Sequence, residues 1–111
     1  DENMTMLSIH SFSPSLQGKE RPWTIGVCYG GDTRLAHALL PQLNKVMSGP
    51  VGDNEPYSIE DDVDYSLPCH AASRGLPHVM LEIRRDMIET GQDAQCFAQL
   101  IHMAWINSEA S

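Results

Sequence analysis

The chain has 111 residues, 41% of them hydrophobic, and a formal net charge of −8. That length supports one domain at most, and that apolar share fits a packed core rather than a disordered tail. The acidity excludes a phosphate-backbone partner, because nucleic-acid binding needs clustered Lys and Arg. It leaves room for a small anion, since one well-placed Arg outweighs the global field locally.

Cys28, Cys69 and Cys96 are odd in number and far apart, with no CxxC pair. Neither a disulfide framework nor a thiolate zinc knuckle is expected. No apolar run approaches the ~20 residues that span a bilayer, and no charged-then-apolar leader opens the chain, so the expected compartment is the cytoplasm.

Residues 4–12 hold Met6, Leu7, Ile9 and Phe12 with few charges and predict a short buried strand. Residues 13–22 read as a polar loop around Gly18. The β-branched and aromatic run WTIGVCY, residues 23–29, predicts a second strand that Gly30-Gly31 ends. Asp32 or Thr33 is placed to cap a helix over 34–47, whose apolar face is Leu35, Leu39, Leu43 and Val46 or Met47. Pro41 lies inside that helix and is expected to kink or divide it.

Residues 51–77 show little periodicity and much Gly, Pro and Asp, so a long functional loop is expected. Its acids, Asp53, Glu55, Glu60, Asp61, Asp62 and Asp64, read most simply as a solvated acidic stretch. HVMLEIRR, residues 78–85, is the clearest strand: Val79, Leu81 and Ile83 face one side, and His78, Met80, Glu82 and Arg84 the other. A last helix follows Gly91, with Phe97, Leu100, Ile101, Ala104 and Trp105 on one face. Strands alternating with helices predict an α/β layered sheet, and a strand without its own helix suggests part of a larger sheet.

Glu82 and Arg84 project from the same strand face, where a charged pair is either an ordinary salt bridge or a used one. In open α/β folds the strand ends are where ligands bind. His10, near the end of the first strand, is a metal ligand, a general base or a structural imidazole. Asn54, Tyr57 and His70 offer polar groups suited to an amide or carboxylate, although Gly52-Asp53-Asn54 is also a plausible turn. Arg21 is ambiguous between anion binding and loop packing. Ser11 and Ser13 have no nucleophile elbow around them, and no phosphate-binding glycine loop is present.

Taken together, IHSFSP, RPWTIGVCYGGDTRLAHALL, DNEPYS and GLPHVMLEIRRDMI, in that order and spacing, resemble the N-formylglutamate amidohydrolase family. That family is similar to the zinc carboxypeptidase and aspartoacylase group. The resemblance covers nearly the whole of residues 1–111 and treats them as one C-terminal portion of such a domain. It implies an α/β/α layered, phosphorylase/hydrolase-like fold on a central mixed sheet, incomplete in this chain. It implies hydrolysis of an amide bond in a small acidic N-acyl (N-formyl) amino acid, assisted by zinc or another divalent metal. On this resemblance His10 matches a metal ligand, Glu82 the general base and Arg84 a grip on the substrate carboxylate. Asn54, Tyr57, Arg21 and His70 are further substrate contacts. The remaining metal ligands come in the family from a segment with no counterpart here, and a catalytic zinc generally takes three protein ligands. The alternative is a non-catalytic small-anion-binding or interaction fragment, with a partner chain or self-association through an exposed sheet edge.

Overall fold

The computed structural model describes residues 5–55, 75 and 77–109. Its strands are β1 (Met6–Phe12), β2 (Ser15–Leu16), β3 (Lys19–Glu20), β4 (Ile25–Cys28), β5 (Val51–Asp53) and β6 (His78–Arg84). The α-helices are α1 (Arg34–Val46) and α2 (Gly91–Glu109), and a 3-10 turn, Arg85–Ile88, joins β6 to α2.

Four strands form one mixed sheet in the order β1-β6-β4-β5. β1 runs parallel to β6, β6 antiparallel to β4, and β4 parallel to β5. The β4-α1-β5 stretch is thus a strand-helix-strand crossover, the connection that parallel neighbours require. Both helices contribute to one core with the sheet: Leu35, Ala36, Leu39 and Leu43 from α1, and Phe97, Ile101 and Ala104 from α2. They meet Ile25 and Val27 of β4 and Val79, Leu81 and Ile83 of β6. Ile25, Val27, Leu39, Leu43, Val79 and Leu81 are fully excluded from solvent. Each buried side chain of this size contributes about 1.5–3 kcal/mol.

The α/β class and the two-sided reading of β6 agree with this architecture. Among the described residues the helices cover one sheet face, so the second helix layer of an α/β/α fold is not among them.

Three local expectations need correction. Pro41 does not divide α1, which runs unbroken from Arg34 to Val46. Pro41 is exposed, so the carbonyl that loses its N–H partner lies on the solvent side, where water substitutes at small cost. Residues 15–20, expected as plain loop, form a two-strand hairpin. Gln17 (φ 52°) and Gly18 (φ 79°) both take the positive φ of a primed turn. Gln is not a residue that announces such a turn, so the hairpin left no signal. Residues 51–53, expected as the start of a long loop, form β5. Three residues are too few to show a period, and β5 exists because β4 supplies its hydrogen bonds.

Candidate functional site at the edge of the sheet

The sheet register brings the two central candidates together. His10 of β1 is the direct partner of Glu82 in β6, and Glu82 in turn pairs with Gly26 of β4. Paired residues share a sheet face, and adjacent strands lie about 4.8 Å apart. His10 and Glu82 are therefore neighbours on the face opposite the helices, and Gly26 puts no side chain on the carboxylate's other flank. Glu82 is buried, 3% exposed, whereas His10 is exposed. His10 Nε2 lies 3.0 Å from the Ser8 hydroxyl one step back along β1, which helps fix the ring. A buried carboxylate beside an accessible imidazole is a pair able to hold and pass a proton next to a solvent-facing ligand.

His10 and Glu82 offer two donors to a divalent metal. Among the described residues no group of three or more His, Cys, Asp or Glu side chains stands close enough to hold one. The described residues therefore do not by themselves fit a complete zinc site.

Arg84 sits two residues beyond Glu82, about 7 Å along the strand. Its Nε donates to Asp86 Oδ1 at 2.7 Å, and its NH1 donates to the carbonyls of Arg21 (3.0 Å) and Pro22 (3.1 Å). NH2 approaches the Met87 sulfur at 3.7 Å. The guanidinium thus braces the segment before β4 against the end of β6. Arg21 is buried, its guanidinium 5.5 Å from the Phe12 ring centre, and its NH1 donates to the Ser13 carbonyl at 3.3 Å. The two arginines line one polar cleft of about 380 Å³ with Glu20 and Asp86. Two cations face two carboxylates there, so the cleft carries no net positive charge.

Asn54 lies at the opposite end of the sheet. It takes φ 57°, its Oδ1 accepts the Tyr29 backbone N–H at 2.7 Å, and its own N–H donates to the Val27 carbonyl at 2.9 Å. It latches the end of β5 onto the end of β4. Tyr57 and His70, also expected at the site, lie outside the described residues.

Around Asn54 stands a polar cluster that no sequence motif singled out. The Tyr29 hydroxyl donates to Asp53 Oδ1 at 2.5 Å, and that bond, aided by burial and the Asp53 charge, holds its phenol above the usual range. Asp32 accepts from Arg34 Nε, NH2 and backbone N–H. The Arg34 hydrogen bond holds the Asp32 carboxyl below the ordinary carboxylate range, against the opposing effect of its burial, and His78 adds in the same downward sense. Thr33, at the N-cap position, makes no side-chain cap bond, so Asp32 takes the capping part. The one available signal was Gly30-Gly31-Asp32 directly after a strand.

The comparisons with known proteins extend this picture. Residues 2–89 match the profile of the family described as N-formylglutamate amidohydrolase. The crystal structure of gene product Atu2144 from Agrobacterium tumefaciens is similar, with a TM-score of 0.80 and 34% identity. The match covers 96% of this chain and 43% of that one, so the chain spans less than half of its relative's length. No curated protein matches the chain. With a family match across most of its length, and His10 and Glu82 side by side within it, the chain belongs to the N-formylglutamate amidohydrolase family.

Proposed function

We propose that the protein hydrolyses an amide bond in a small acidic N-acyl amino acid, of which an N-formyl amino acid is the simplest. The observation that carries this reading is the pairing of His10 with Glu82 across β1 and β6, in a chain of amidohydrolase ancestry. Glu82 is the general base: its carboxylate takes a proton from water as the oxygen attacks the amide carbon. It then returns that proton to the departing nitrogen as the carbon–nitrogen bond breaks. Positioned acid–base transfer of this kind is worth about 10²–10⁴-fold. His10, exposed and beside it, faces the substrate side. Zinc or another divalent metal belongs to the proposal only as a group that His10 helps to hold, with its other ligands from outside the described residues.

Arg84, Arg21, Asn54, Tyr57 and His70 are the proposed substrate contacts, on unequal support. Arg84 would have to exchange Asp86 for a substrate carboxylate, a swap that conserves one charge-assisted bond. Asn54 is two residues past Gly52, which stands in the Glu82–Gly26 row, so it is about 7 Å along the strands and two strands across from Glu82. The non-catalytic anion-binding alternative gains nothing from the cleft, whose charges balance.

The test is Glu82→Gln assayed for release of the free amine from N-formylglutamate, in the protein supplied with zinc. Turnover is expected to fall about 10²–10⁴-fold while the circular dichroism spectrum is unchanged. Equal turnover in both forms would remove Glu82 from the mechanism.

A further inference from the structure

The polar cleft of about 380 Å³ takes Glu20 from the 15–20 hairpin, Arg21 from the segment after it, and Arg84 and Asp86 from the end of β6 and beyond. That volume lies near the lower end of the range for small-molecule sites. Its hydrogen-bonding capacity is only partly spent. Arg84 NH1 serves the Arg21 and Pro22 carbonyls, and Nε serves Asp86 Oδ1. Among the described residues the one acceptor at NH2 is the Met87 sulfur, 3.7 Å away, and a thioether accepts weakly. Asp86 spends Oδ1 on Arg84 and keeps Oδ2. Glu20, exposed on β3, makes no hydrogen bond or ion pair among the described residues. The Arg84–Asp86 ion pair thus presents an unspent donor beside an unspent carboxylate oxygen, with a second carboxylate in the same cleft.

We infer that this cleft binds a free α-amino acid as its zwitterion, with the carboxylate on Arg84 NH2 and the ammonium on Asp86 Oδ2 and Glu20. An α-amino acid carries its opposite charges one carbon apart. The protein holds the same side-by-side arrangement in the Arg84 Nε–Asp86 Oδ1 contact of 2.7 Å. A simple anion in the cleft meets two carboxylates, and a simple cation meets two guanidinium groups. Only a ligand with both charges leaves no like charges facing each other, and like-charge contacts are what discriminate against a wrong ligand. Arg21 is buried and the Arg84 side chain is 19% exposed, so water and salt screen these contacts only in part. Unlike a bare carboxylate, the zwitterion requires no exchange of Asp86. Under the reaction proposed above, hydrolysis turns an uncharged amide nitrogen into an amine that protonates, so the cleft prefers the amino-acid product to the N-acyl substrate. That preference matters for turnover only if the hydrolase reading holds; the site itself does not rest on it.

The experiment titrates the chain with L-glutamate, with glutarate, which lacks only the ammonium, and with N-formyl-L-glutamate, by calorimetry and by the NMR signal of the Arg84 Nε–H. The expected result is saturable binding of L-glutamate that shifts the Arg84 signal, with both other compounds about tenfold weaker or more. Asp86→Asn should weaken L-glutamate about 10–100-fold, the worth of one charge-assisted hydrogen bond, and Glu20→Gln should weaken it in the same direction. Glu89→Gln, at an exposed acid outside the cleft, should leave it unchanged. Glu20 has no partner among the described residues, so Glu20→Gln keeps the parent circular dichroism and carries the test if Asp86→Asn fails to fold. No saturable L-glutamate binding, glutarate binding as tightly, an unmoved Arg84 signal, or an affinity indifferent to Glu20→Gln and Asp86→Asn would each overturn the inference. Binding as expected without release of glutamate from N-formylglutamate by the zinc-supplied protein upholds the cleft and removes the hydrolase reading. Turnover without such binding does the reverse.

Discussion

Asn54→Ala tests whether Asn54 is a latch of the fold or a free substrate contact. The substitution removes the Oδ1 that accepts the partly buried Tyr29 N–H at 2.7 Å. Leaving such a donor without a partner costs about 1–3 kcal/mol. Asn54 also sits at φ 57°, a conformation Asn tolerates and Ala does not, which adds about 1 kcal/mol. The sum is about 2–4 kcal/mol, a large part of the ~5–15 kcal/mol that holds a small domain together. With a urea dependence of about 1.5 kcal/mol per molar, the unfolding midpoint should fall by about 1.3–2.7 M. Asn54→Gly separates the two contributions: it loses the same hydrogen bond but accepts the positive φ, so its midpoint should fall less than that of Ala. Urea titrations followed by Trp fluorescence and by circular dichroism give the three midpoints. Equal losses for Ala and Gly would refute the backbone part of the reasoning. Midpoints all within ~0.3 M of the parent would refute the latch altogether. In that case a selective loss of substrate affinity would return Asn54 to the substrate.

Two further predictions use the same titrations. Arg84→Lys should cost about 1–3 kcal/mol, because an ammonium cannot brace two carbonyls and Asp86 with a planar fork. Undiminished stability with weaker binding of acidic substrates alone would make Arg84 a substrate residue instead. Tyr29 has its phenol held up by Asp53, so the folded value lies above the unfolded one. That contribution to stability is complete below about pH 10 and lost as pH rises through the raised value. The urea midpoint should therefore fall more between pH 8 and pH 11 in the parent than in Tyr29→Phe. Parallel falls would show that the bond to Asp53 carries no proton linkage.

Much of the frame was legible before any coordinates. β6 reads directly from HVMLEIRR because the alternation of Val79, Leu81 and Ile83 with His78, Met80, Glu82 and Arg84 is a local property of the sequence, although the fold buries both faces of the strand. The helix over 34–46 and the buried face of α2 follow from helical spacing in the same way. Glu82 and His10 were identified one at a time, from ancestry and residue type. Their adjacency was not legible, because the register of β1 on β6 joins residues 72 positions apart in the chain, from His10 to Glu82. Arg84 illustrates the opposite case: an arginine that sequence offers to a ligand is claimed in the fold by Arg21, Pro22 and Asp86. No spacing rule encodes the bonds to Arg21 and Pro22, since those two acceptors are backbone carbonyls, which every residue has.

What the sequence by itself determined is the class of structure and its family: an acidic α/β chain of N-formylglutamate amidohydrolase ancestry, with Glu82 and Arg84 on one strand face. Periodicity and residue type carry that information, and both are local. Only the tertiary structure decided which strand stands at the edge among the described residues, that β5 and the 15–20 hairpin form, and that Leu7 and Ile9 line a groove. These depend on which neighbour supplies each hydrogen bond and each contact, and pairing between distant segments is settled by the packed whole rather than by any segment alone.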